Sequence, residues 1–128
     1  MKAIIKLHLS VLLGILLPIP VGNALVPYIY WKLNKEYGDS FERHARNLLN
    51  FHILVNIVFF IVWFVVCFNF VKEAMAGIKP DFTDFLYPIL PMFVLVFLYP
   101  IAAALYLYFS KKDVLVYPKL IPFFKESK

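Results

Sequence analysis

From Leu7 to Trp31 the chain runs 25 residues without an Asp, Glu, Lys or Arg, and Pro18-Ile19-Pro20-Val21-Gly22-Asn23 breaks that run in its middle. A charge-free run of this length belongs in hydrocarbon, yet the prolines and the glycine argue against one continuous helix. Two further stretches, 48–71 and 85–109, also lack formal charge. Each is long enough to cross a hydrocarbon core about 30 Å thick. With 62% hydrophobic and 16% charged residues, too little polar surface remains to clothe a soluble domain of this size. The sequence predicts one all-α integral membrane domain. It comprises a broken helical hairpin over 7–31, transmembrane helices over 47–71 and 84–109, and an interfacial tail over 111–128.

Charge sets the expected topology. If the first run enters the membrane and returns, only Lys72 and Lys79 of the thirteen Lys and Arg lie on the far side. If it crosses as a Pro-kinked single span, Lys2 and Lys6 join them. Cytoplasmic segments carry the excess of Lys and Arg, so the re-entrant hairpin is favoured over the kinked span. Both termini are then cytoplasmic in a multi-pass protein of the cell's inner (plasma) membrane. As helices rising about 1.5 Å per residue, Leu7–Leu17 and Ala24–Trp31 each reach about half the membrane thickness. Asn23 suits the N-cap of the returning arm. A turn at mid-membrane has to be covered by the other spans or by another subunit. Lys2, Lys6, the apolar Leu7–Leu17 and Gly22-Asn23-Ala24 imitate a cleavable secretory signal, but the apolar run continues to Trp31, which argues against cleavage. The net charge of +5 lies in segments flanking the spans, so its expected partner is the lipid bilayer and not nucleic acid.

The polar residues inside the spans are few. His52, Asn56, Trp63 and Cys67 share one face of the second span. They read as interhelical packing contacts or as the lining of a substrate or proton path. Asn47 and Asn50 point elsewhere, near the cytoplasmic end, as caps or anchors. His8, His44, His52 and Cys67 contain no close-spaced ligand pair, so no metal site is expected. The single Cys67 rules out an internal disulfide. Asp81 and Asp84, beside Pro80, read as a turn and a helix N-terminus. No nucleophile-base pattern, phosphate-cradling loop or dinucleotide fingerprint occurs, so neither enzyme activity nor a cofactor is expected. Ala102, Ala103 and Ala104 form a small-residue patch suited to contact another helix or protomer.

Several short motifs carry a likeness. His8-Leu9-Ser10 is followed by Leu13-Gly14, then by Gly22-Asn23, Pro27 and Trp31. His44-Ala45 follows, then Leu49-Asn50-Phe51, and late in the chain Tyr117-Pro118 with Ile121 and Phe123. This pattern resembles a widespread group of small prokaryotic membrane proteins of uncharacterised function, distantly similar to the small channel-like subunit of the chloroplast inner-envelope protein translocon. His52 is a departure, since the group commonly has Gln after its Asn-Phe pair. The resemblance implies a helical membrane fold and no assigned activity. The expected function is a non-enzymatic membrane subunit that packs with itself as a homo-oligomer or with a larger transport or translocation complex. The alternative is a stand-alone channel or transporter with a path along His52 and Asn56 to the Pro20–Asn23 turn.

Overall fold

Helices account for every regular element of the computed structural model, which describes residues 1–17, 21–79, 81–118 and 121–124. Helix α1 covers Lys2–Leu16 and α2 covers Gly22–Leu33. They fold back on each other as a hairpin, closely packed along their length, so a single kinked helix is not what the chain forms. The reason for the close approach is local. A Cβ on Gly14 would sit 1.9 Å from the Gly22 carbonyl oxygen, and one on Gly22 would sit 2.1 Å from the Gly14 carbonyl oxygen. Only glycine at both positions lets the two backbones meet. Pro18 and Pro20, expected in the turn, lie outside the described residues, as do Pro80, Lys119, Lys125 and Lys128.

A short 3₁₀ turn, Lys35–Tyr37, leads into α3, Asp39–Met75. This helix begins eight residues before the span expected at 47. Asp39 and Glu42 lie in its first turn, where the helix dipole favours acids, and Gly38 supplies the positive φ of 85° at its entry. After α3, Asp81 caps the short helix α4, Phe82–Leu86, by accepting from the Thr83 backbone N–H. The span expected to start at 84 is interrupted at 87–89 and resumes as α5, Leu90–Ser110. Its segment Val94–Leu98 is a π-helical turn, with the Tyr99 N–H bonded to the Val94 carbonyl five residues back. Pro100, which has no N–H to offer the ladder, follows directly and accounts for the slip.

Burial is concentrated at one end. The core gathers Leu7, Val11, Phe41, Leu48, Leu49, Val55 and Leu107, whereas the apolar windows of α3 and α5 are only 17% and 22% buried. Helices this apolar and this exposed are fit for lipid and unfit for water. In lipid, apolar burial does not itself drive helices together, so close packing and polar contacts have to hold the bundle. The Gly14–Gly22 crossing supplies the first. Ala103, Ala104 and Leu107 of α5 are buried where this helix packs on α1. Ala103 and Ala104 of the alanine patch thus pack within this chain's own bundle, and Ala102 is exposed.

Candidate functional site

Asn23 is the second residue of α2 and does not cap it. Val21 holds the N-cap position with a φ of 66°, and no side chain caps the helix. The Asn23 amide instead turns inward to α3. Its Oδ1 accepts from Asn56 Nδ2 at 2.9 Å, and its Nδ2 lies 3.4 Å from His52 Nδ1. His52 and Asn56 stand one helical turn apart, which presents both to the same neighbour. This amide cluster borders a cavity of about 450 Å³ lined by Gly14, Gly22, Trp63 and Phe97, among others. Further along α3 the polar stripe leaves the interior, with Trp63 39% exposed.

The tail, expected to lie on the membrane surface or to fold over the helix ends, is a strap across one end of the helices, and Tyr117 is its plug. Tyr117 is 2% exposed and rests among the rings of His8, Phe51, His52 and Tyr99. Its hydroxyl lies 3.3 Å from His8 Nδ1. Asn47 and Asn50 are not caps but clamps. Asn47 Nδ2 donates to the Tyr117 carbonyl and Asn47 Oδ1 accepts from the Tyr117 N–H. Asn50 repeats both bonds with Phe124. A primary amide offers a donor and an acceptor with the spacing of a peptide group, so each asparagine pairs with the tail backbone as another strand would. The Tyr99 hydroxyl adds a bond to the Val116 carbonyl at 2.7 Å.

Asp113 ties down the start of the strap. Its carboxylate accepts from the Ser40 hydroxyl at 2.8 Å, Arg43 at 3.0 Å and His44 Nε2 at 2.9 Å. The Ser40 hydroxyl, then the His44 imidazole, hold the Asp113 carboxyl below its ordinary range. His44 is 1% exposed, and its ring meets His8 edge-to-face at 5.8 Å.

Several of the motif residues are thus enclosed within the bundle. His8, Trp31, His44 and Phe51 are buried, Ser10 bonds back to the Leu7 carbonyl, and Pro27 is enclosed within α2. Sequence reasoning missed Tyr117, Asp113 and Tyr99 as members of this group. Of these, the Tyr117-Pro118 pair was visible as a motif but carried no sign of its depth. Among the described residues no group of three His, Cys, Asp or Glu is placed to hold a metal ion.

Exposed apolar helices over a polar core closed by a tail define a small helical membrane protein. A family model described as the magnetosome magnetite crystal formation protein family, MamF/MmsF, matches residues 2–124, and the chain belongs to that family. No curated protein and no solved structure matches. Nothing among these findings carries the likeness to the chloroplast translocon subunit.

Proposed function

We propose that the chain is a non-enzymatic, multi-pass membrane protein that takes part in magnetite crystal formation. The family match over residues 2–124 carries this reading. Support for a structural role comes from Asn23 pairing with Asn56 and Asn47 with the tail, and from the described residues lining the cavity, among which no nucleophile stands with a base. In this reading α3 and α5 cross the membrane and the hairpin α1–α2 enters and returns. Both termini and the strap lie at the cytoplasmic face. The lipid bilayer is the first partner, and further copies or a larger membrane protein cover the exposed side of the hairpin turn. The test is expression in a magnetite-forming bacterium stripped of its own member of this family. Restored crystal size and number, counted by electron microscopy, is the expected result. Unrestored crystals, with the chain shown to be present in the magnetosome membrane, would overturn the proposal.

A further inference from the structure

The seam between α2 and α3 carries a groove that the side chains leave unfilled. It is a cavity of about 350 Å³ walled by two stripes, Val21, Leu25 and Tyr28 beside Leu49, Ile53 and Phe60. Spacings of three, four and seven residues put each set on one helix face. The two helices run antiparallel, since Asn23 meets Asn56 at one end of the seam and Tyr30 meets Phe41 at the other. One end of the groove therefore lies at the hairpin turn and the other at the strap. Asn56 borders the groove as well, but its Nδ2 is turned to Asn23. What remains along the walls is hydrocarbon and ring.

The two ends differ in chemistry. At the strap end Phe124 closes the groove, its ring 6.0 Å from that of Tyr28 and 5.7 Å from that of Trp31. The Asn50 amide fixes Phe124 there through both of its backbone groups. Lys32 continues the α2 stripe one turn beyond Tyr28, with Nζ 5.3 Å from the Tyr28 ring centroid and 4.6 Å from that of Trp31. Ring faces attract an ammonium without cancelling its charge. Arg43 pairs with Asp113 and Arg46 with Glu42, whereas Lys32 pairs with no carboxylate among the described residues, Glu36 four positions on included. At the hairpin-turn end the lining is Val21, Asn56 and Phe60, without a formal charge.

We propose that this groove binds one anionic glycerophospholipid, with an acyl chain lying between α2 and α3 and the phosphate against Lys32. Length argues for this occupant. Leu49 and Phe60 stand eleven residues apart, or about 16 Å at about 1.5 Å per residue. One leaflet is half of a hydrocarbon core about 30 Å thick, and an acyl chain crosses that half. Polarity agrees with length, because a lipid is charged at the interface and hydrocarbon at mid-membrane, in the same sense as the groove. An extended peptide would bring backbone N–H and C=O groups that these walls cannot satisfy. Free phosphate would leave the apolar walls unused. The site needs α2 and α3 to lie in lipid and is indifferent to which face is cytoplasmic, so it stands apart from the crystal-forming role.

The full-length chain, delipidated in mild detergent and titrated with dioleoylphosphatidylglycerol or dioleoylphosphatidylcholine, tests the proposal by native mass spectrometry. Wild type is expected to retain one phosphatidylglycerol per chain at lipid concentrations where phosphatidylcholine is lost. Lys32→Gln is expected to cut that preference about fivefold, the worth of one Lys near an anionic membrane surface, while both lipids still bind. Ile53→Trp fills the groove and is expected to abolish retention of either lipid. Leu25→Trp fills it from the opposite wall and decides should the first variant fail to assemble. Water-soluble glycerophosphoglycerol is expected not to compete. Equal retention of the two lipids by wild type, an unchanged preference in Lys32→Gln, undiminished binding by either folded Trp variant, or competition by the headgroup alone would each overturn the site. A wild-type dimer that Ile53→Trp splits into monomers would give the groove to a second copy and overturn it equally.

Discussion

Gly14 and Gly22 meet backbone to backbone, and that contact decides the sign of a substitution that helix propensity alone would get wrong. Replacing a mid-helix glycine by alanine normally gains about 1 kcal/mol. At position 14 the added methyl meets a carbonyl oxygen at 1.9 Å, and backbone cannot step aside as a flexible side chain can. Gly14→Ala is therefore expected to destabilise the protein by roughly 3 kcal/mol, seen as a lower thermal midpoint in detergent. Val21 gives the opposite case. A β-branched residue at a φ of 66° is strained by about 1 to 2 kcal/mol, and its side chain is 44% exposed, so little packing is at stake. Val21→Gly relieves the strain at an entropic cost of about 0.5 to 1 kcal/mol, for a net gain of about 0.5 to 1 kcal/mol in the same assay. A lower midpoint for this variant would mean that the Val21 side chain holds the turn.

Elements differed in how much of them the sequence reveals. The charge-free runs locate α1, α2, α3 and α5 because lipid selects on hydropathy, which is a property of composition. The start of α3 at Asp39 and the break at 87–89 escaped, since the first is stabilised by tail contacts and the second by prolines that also occur in unbroken membrane helices. His52 and Asn56 were legible as one face of α3 from polarity and period, whereas Asn23 was expected as a cap and is instead their partner. Asn47 and Asn50 were not legible, because their partners are backbone groups 70 and 74 residues away and a backbone group leaves no residue signature. Asn47→Ala strips the buried Tyr117 of both its amide partners and is expected to cost roughly 3 kcal/mol, while Asn50→Ala, facing the half-buried Phe124, costs about 1 kcal/mol. Limited proteolysis of the tail ranks the two. The strap also responds to acid. Because the folded-state pKa of Asp113 is depressed, its contribution is complete above the unfolded carboxylate value of about 3.9 and is lost as pH falls through the folded value. Hydrogen exchange of the tail amides is expected to speed up in that acid range in wild type. Asp113→Asn should remove this acid step; an unchanged step would assign it to another carboxyl.

For the whole molecule the decisive quantity is which side of the membrane each end faces. The distribution of Lys and Arg favours both termini on the cytoplasmic side, with the 76–81 connection opposite. With Cys67 replaced by serine, Ala3→Cys is expected to resist a membrane-impermeant thiol reagent in intact cells, and Ile78→Cys to react. Labelling of both would establish three full crossings and detach the hairpin from its proposed return.

Tyr117 comes off the ribosome 109 residues after His8, the imidazole it covers. Through most of synthesis, then, the hairpin and both long helices enter the membrane with their polar heart open and their histidines unsheltered. N-terminal parts generally fold first, but here the hairpin cannot finish until Tyr117, 109 residues on from His8, arrives. The tail acts as a keystone, and maturation of the bundle is a late, single event. A chain interrupted ahead of Tyr117 displays the same unsealed imidazoles as one that has not yet folded, so cellular surveillance that recognises polar groups in lipid meets truncated and immature copies as one and the same target.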